Sequence, residues 1–178
     1  MFEWFKRKNS LSLDPTKDRG AFISQIATAV KQFSATAKSK GIHPITRIDI
    51  KYDLTSEAYP RMWVELDTEP SGEPRTGRSI TYVITERVCE HWAPPCHAAM
   101  AGKPVKVLGS NGSTTVSDET SLCQAVGIYF VDLLASMRKA GLFGSLPRAA
   151  RCYLGVSTED GEYGWPPYED RGRPDNIL

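Results

Sequence analysis

Two cysteines and two histidines within residues 89–97 are the side chains of this sequence best suited to chemistry. Thiolate sulfur and imidazole nitrogen are the usual ligands of tetrahedral zinc sites. The candidate ligands are Cys89, His91, Cys96 and His97. Their spacing differs from that of closed zinc sites, in which closely spaced cysteines are matched by a second pair elsewhere. We therefore expect neither a metal nor another cofactor, with a metal site in this segment as the alternative.

The same segment offers a nucleophile for covalent catalysis. Pro94 and Pro95 predict the start of a short helix, and a helix N-terminus favours the thiolate form of a cysteine such as Cys96. His91 or His43 would then act as the general base of a hydrolase or transferase. The flanking residues of cysteine-hydrolase signatures are missing, so the sequence leans against an enzyme.

A second group of candidate residues lies on two predicted strands, residues 45–54 and 61–67. Apolar and charged residues alternate there, which predicts one buried face and one solvated face. The solvated face would present Trp63 with Arg61, Glu65 and Asp67. A large aromatic residue among charges is typical of a binding hot spot. The alternative is that a loop or Trp4 covers Trp63.

The C-terminal segment, residues 158–178, is acidic and aromatic. Residues 159–175 carry six acidic and two basic side chains, which leaves a local charge of −4 in a chain of net charge +1. Such a surface suits a basic protein partner. The candidate binding residues here are Glu162, Tyr163, Trp165, Tyr168, Glu169 and Asp170. The alternative is a segment packed along the sheet edge, with Trp165 filling a gap.

Composition restricts the class of protein. The 178 residues, 40% hydrophobic and 24% charged, fit one ordinary globular domain. A net charge of +1 argues against a nucleic-acid partner, which needs a concentrated basic stripe. We expect no transmembrane segment and no signal peptide, and therefore a cytoplasmic protein. The aromatic and basic N-terminus, residues 2–8, leaves contact with a membrane surface as an alternative.

Hydrophobic periodicity predicts the elements that position these residues. Two amphipathic helices are predicted, one after Asp18 and one capped by Ser117 that buries residues from Leu122 to Met137. Strands are predicted at 45–54, 61–67, 79–88 (central in the sheet) and 151–156, with a hairpin that turns at 110–112. This order predicts an α+β fold: an antiparallel sheet of about five or six strands with two amphipathic helices packed on one face. We expect an N-terminal tail or linker over residues 1–17, one domain over 18–157, and the C-terminal segment.

In the absence of a catalytic signature, the surface residues favour a binding function. We expect a domain that neutralises or regulates a protein partner, in the manner of bacterial toxin-immunity proteins and with a basic toxin domain as the partner. A Cys96-based enzyme and a structural adaptor subunit are the alternatives. The sequence does not determine the oligomeric state.

Overall fold

The computed structural model describes residues 11–40, 44–56, 60–68, 80–84, 88–161 and 163–165. Together they form an α+β fold, as the sequence predicts. The elements are β1 (Ser12–Leu13), a 3-10 turn (Pro15–Asp18), α1 (Arg19–Lys40), β2 (Ile45–Asp53), β3 (Arg61–Asp67), β4 (Ile80–Val83), a second 3-10 turn (Glu90–Trp92), α2 (Ala93–Met100), β5 (Val105–Gly109), β6 (Gly112–Val116), α3 (Glu119–Lys139), β7 (Arg148–Thr158) and β8 (Gly164–Trp165).

The main sheet has five strands in the order β4-β3-β2-β7-β8. Ile50 of β2 pairs with Val64 of antiparallel β3 on one side and with Val156 of parallel β7 on the other. The prediction of antiparallel pairing is confirmed for the other neighbours, β3–β4 and β7–β8, and is wrong for β2–β7. The parallel pair forms because the chain returns from α3 to the end of the sheet where β2 begins, and the Ile45 amide donates to the Pro147 carbonyl there at 2.8 Å.

The β5–β6 hairpin forms as predicted but lies outside the main sheet. It pairs with β1 in a separate three-stranded sheet, in which β1 runs parallel to β5. Leu13 of β1 is buried, so this part of the predicted linker belongs to the folded domain. Within the described residues, β4 lies at the edge of the main sheet and not at its centre, because only β3 pairs with it.

The core lies between one face of the main sheet and the helices. Phe22 of α1 meets Phe130 of α3 and Trp92 with ring centroids 5.4 and 5.7 Å apart. The Trp92 indole donates to Asp18 Oδ2 at 2.8 Å, so its one polar group is satisfied. Burial of each such ring contributes roughly 1.5–3 kcal/mol to stability.

α3 begins one residue later than the predicted cap implies. Asp118, and not the predicted Ser117, is the N-cap, because its carboxylate accepts the Ser121 amide at 2.8 Å.

Among the described helices, only α3 is long and apolar enough to cross a membrane, with a mean hydropathy of 1.3. A core helix passes the same test, and half of this apolar stretch is buried inside the domain.

Gly155 of β7 provides a test of this packing. A Cβ at this position would overlap Oδ1 of Asp49 on β2. We expect Gly155→Ala to lower the free energy of unfolding by about 1–3 kcal/mol, because the sheet has to shift to admit the methyl group. Urea denaturation measures this change. Gly20→Ala is the control, since a Cβ there has no neighbour within 4 Å. Equal losses in the two variants would contradict the close contact.

Candidate functional site

The face of the main sheet opposite the core carries four charged residues that form two ion pairs. We call this group, Arg47, Asp49, Lys51 and Glu65, the charged face. Arg47 Nε lies 2.5 Å from Asp49 Oδ2, and Lys51 Nζ lies 2.9 Å from Glu65 Oε2. The β2–β3 register places Asp49 directly opposite Glu65. Each of the two adjacent carboxylates is thus balanced by a cation from β2.

The centre of the charged face is buried. Asp49 is 1% exposed and Glu65 is 7% exposed, so the prediction of a solvated face is wrong there. Alternation in sequence shows only that two faces differ in polarity, and it does not show that the polar face reaches water. Ion pairing makes the burial of these charges tolerable, although desolvation offsets much of the attraction.

The predicted hot spot around Trp63 is consequently not a continuous exposed surface. Arg61 is exposed, and Trp63 and Asp67 are half-buried, whereas Glu65 lies in the buried ion pair. A binding role for these residues stays a prediction.

A cleft opens where β2 and β7 end, beside the first turn of α3. It has a volume of about 260 Å³, and its lining includes the carboxylates of Asp53, Glu119, Glu159 and Asp160. A smaller cavity of about 110 Å³ shares Glu119 and Asp160 and adds Tyr163. Among the residues that the structure describes, no lysine or arginine lines either cavity. We call the region around these four carboxylates the acidic cleft.

Hydrogen bonds hold the walls of the acidic cleft in place. Thr55 donates to Asp53 Oδ1 through its amide at 2.8 Å and its hydroxyl at 2.7 Å. The Thr158 hydroxyl donates to Asp160 Oδ1 at 2.6 Å, and the Glu159 amide donates to the Tyr52 carbonyl at 3.0 Å. The backbone that carries three of the carboxylates is therefore fixed before any partner binds, which reduces the entropy lost on binding.

The acidic cleft combines residues that sequence reasoning did not bring together. Glu159 and Asp160 belong to the acidic C-terminal segment, whereas Asp53 and Glu119 are not among the binding residues that the sequence predicts. The available signal was their position: Asp53 ends β2, and Glu119 opens α3. Acidic residues at a strand end and in a first helical turn meet only when the strand and helix ends are neighbours.

The first part of the C-terminal segment packs along the sheet edge, as in the alternative interpretation. The Tyr163 amide donates to the Thr158 hydroxyl at 3.0 Å, and the Tyr163 ring lies against Gly127 of α3, where a Cβ would overlap it. Trp165 pairs with Val156 in the sheet and is half-buried. The other predicted residues of this segment, Glu162, Tyr168, Glu169 and Asp170, lie outside the described residues.

In the segment of residues 89–97 the structure buries both cysteines and exposes both histidines. Burial raises the pKa values of Cys89 and Cys96 to about 12. His91 Nε2 lies 3.1 Å from Asp18 Oδ2, so its nearest charged neighbour is a carboxylate of the first 3-10 turn. His97 is exposed, and no group of three potential ligands that could hold a metal occurs among the residues described. His43 lies outside them.

The buried carboxylate of Asp49 predicts a pH dependence of stability. Burial raises its pKa above the ordinary 3.8, and the attraction of Arg47 only partly opposes this. The folded state therefore holds the proton more tightly than the unfolded state, so the contribution of Asp49 is most favourable below pH 3.8 and declines as the pH rises through the raised pKa. Asp49→Asn removes this titration.

Unfolding free energies of the wild type and Asp49→Asn, measured by urea denaturation at several pH values, test this sign. We expect the wild type to lose stability relative to the variant as the pH rises from 4 towards neutrality, by about 1.4 kcal/mol for each unit by which the pKa is raised. A difference that grows in favour of the wild type over this range would contradict the prediction.

Thiol reactivity tests whether Cys96 is activated. A thiol with a pKa of about 12 has a thiolate fraction at neutral pH on the order of a thousandfold below that of a free cysteine of pKa ~8.5. We expect Cys96 to resist Ellman's reagent in the folded protein and to react in urea. Alkylation with iodoacetamide followed by peptide mass spectrometry assigns the site. Rapid alkylation of Cys96 in the folded chain would restore the nucleophile hypothesis.

Comparison with known proteins identifies neither a family nor a function for this chain. The chain was compared with protein-family models, curated protein sequences and solved structures, and none of the three comparisons gave a match.

Proposed function

We propose that this chain is a protein-binding domain that docks a basic partner at the acidic cleft. One observation carries the proposal: Asp53, Glu119, Glu159 and Asp160 line one cavity, and none of the described residues that line it is a cation. Several carboxylates in one concave site concentrate negative potential and steer a positively charged surface towards it. The predicted aromatic and acidic C-terminal segment enters the same site through Tyr163.

The size of the acidic cleft suits a side chain from the partner. At about 260 Å³ it is smaller than the ~300–1,000 Å³ of pockets for drug-sized ligands, and it suits a lysine or arginine inserted from a larger surface. Thr55 donates both of its hydrogen bonds to Oδ1 of Asp53, so Oδ2 retains lone pairs for a guanidinium group. Such an anchor, surrounded by other carboxylates, is typical of a binding hot spot.

The partner class that fits best is a protein whose own activity requires a basic surface. A toxin domain that acts on nucleic acid is one example, because its lysine and arginine side chains contact phosphate groups. Covering that surface with carboxylates would block the substrate without any chemistry by this chain. Inhibition of the toxin-immunity type is thus the specific form of the proposal.

A charge-removing variant tests the docking site. Glu119→Gln/Glu159→Gln removes two exposed carboxylates from the cleft and leaves the threonine hydrogen bonds intact. The partner is captured from host lysate on immobilised wild-type chain, identified by mass spectrometry and purified. Its Kd for each variant is then measured by calorimetry at two salt concentrations. We expect a roughly tenfold weaker Kd and a flatter salt dependence for the double variant.

The matched control is Glu90→Gln/Asp132→Asn, which removes the same charge from two residues that line neither cavity of the acidic cleft. Asp132 lies thirteen residues after Glu119 on α3, or about 20 Å along the helix. The control should bind the partner as the wild type does. Equal weakening by both double variants would contradict docking at the acidic cleft. A wild-type chain that retains no partner at low salt would contradict the binding function itself.

A further inference from the structure

A groove runs along α3 where the helix faces β7 and β8. Its volume is about 330 Å³, which exceeds that of the acidic cleft and falls within the ~300–1,000 Å³ of small-molecule pockets. We call it the apolar groove, and the described residues that line it are Val131, Leu134, Ala135, Arg138, Lys139, Leu154 and Trp165. None of these residues lines the acidic cleft, so the groove is a separate site.

One wall of the apolar groove is a stripe of α3, and the other wall comes from the sheet. The stripe follows the i, i+3, i+4, i+7 spacing of one helix face from Val131 to Arg138, which covers about 10 Å of the helix axis. Trp165 pairs with Val156 of β7, so its indole lies on the same side of the sheet as Leu154 and α3. The groove is therefore an elongated apolar slot between the helix and the sheet edge.

Positive charge is concentrated at one end of the apolar groove, in the last turn of α3. Arg138 and Lys139 are exposed there, and no described carboxylate lines the groove. Among the residues that the structure describes, none forms an ion pair with the Lys139 ammonium group. An apolar slot that ends in cations is complementary to a carboxylate attached to an apolar tail.

The end of α3 does not need these cations to satisfy its carbonyl groups. The Leu142 amide donates to the Met137 carbonyl at 3.1 Å, and the Gly141 amide donates to the Arg138 carbonyl at 2.9 Å. With Gly141 at a φ of 72°, the two bonds form a Schellman motif, which ends the helix through its own backbone. The motif also fixes the backbone that carries both cations, so the fold sets their position at the end of the groove.

We propose that the apolar groove binds a medium-chain fatty acid. The alkyl chain lies along Val131, Ala135 and Trp165, and the carboxylate pairs with Lys139 in the field of Arg138. Removal of the chain from water supplies most of the affinity, because ion pairs at exposed cations contribute modestly. This site is independent of the partner proposed for the acidic cleft.

Calorimetry and protein-observed NMR with octanoate as the probe test the site. We expect saturable binding to the wild-type chain with a Kd on the order of 0.1–1 mM, as for other ligands of this size. The titration should move the indole N–H resonance of Trp165, which Trp165→Phe identifies. Acetate, which has the charge without the tail, should not bind. Absence of saturable octanoate binding, or saturation that leaves the Trp165 resonance in place, would overturn the proposal.

A charge-removing variant tests the role of the two cations. Arg138→Gln/Lys139→Gln should bind octanoate about fivefold more weakly and octanol as the wild type does, because octanol has the tail without the charge. The matched control, Lys103→Gln/Lys106→Gln, removes two exposed lysines that do not line the groove and should bind octanoate as the wild type does. Equal weakening by both double variants would overturn carboxylate recognition at this end of α3.

Ala135→Glu tests the apolar wall. Ala135 is exposed on α3, and glutamate is a good helix former, so the variant should keep the urea midpoint of the wild type. Its longer, negatively charged side chain occupies the groove and should abolish octanoate binding. A folded Ala135→Glu variant that binds octanoate with wild-type affinity would overturn the location.

The acidic-cleft variant separates this proposal from the proposed function. Glu119→Gln/Glu159→Gln should bind octanoate as the wild type does, since neither residue lines the apolar groove. Arg138→Gln/Lys139→Gln should in turn retain the basic partner of the acidic cleft. Octanoate binding that is lost in the acidic-cleft variant would overturn the apolar groove as the site, whereas loss of the partner alone would bear only on the proposed function.

Discussion

Parallel pairing of β2 with β7 is the constraint on which the rest of the structure depends. Two parallel strands cannot be joined by a tight turn, so the chain has to cross the domain before β7 can begin. The last part of that path is α3, which lies against the sheet and closes the core over Ile50 and Val156. The same pairing brings the ends of β2 and β7 together. Asp53 and Glu159 thereby become neighbours at one end of α3, although more than a hundred residues separate them.

Besides the apolar groove, α3 borders two cavities. Its first turn supplies Glu119 to the acidic cleft, and its middle supplies Ile128 and Asp132 to a second cavity beside the β5–β6 hairpin. Tyr163 packs on Gly127 between these regions and holds the C-terminal segment against the helix. Because one helix borders both cavities, the core sets the position of one cavity relative to the other.

The sequence predicted most elements and little of their arrangement. Both long helices, β2, β3, the β5–β6 hairpin and β7 are visible as local periodicity, because each buries one side. The parallel register of β7 is not visible, since it depends on where α3 ends. Local alternation likewise identified the side of β2 that carries Asp49, but burial of Asp49 is decided by neighbouring parts of the fold. The sequence did not predict the acidic cleft for the same reason, because Asp53, Glu119 and Asp160 become neighbours only in three dimensions.

The contact between Asp49 and Gly155 has a consequence for how the sheet aligns itself. A shift of β7 by two residues would keep its apolar side in the core but would bring Tyr153 or Ser157 beside the buried carboxylate. Either side chain would occupy the space that Asp49 needs, and only glycine leaves that space empty. A buried charge that adds little net stability can thus exclude misaligned pairings. The fit of the Asp49 carboxylate against Gly155 therefore favours one register of β7 over others that hydrophobic burial alone would accept.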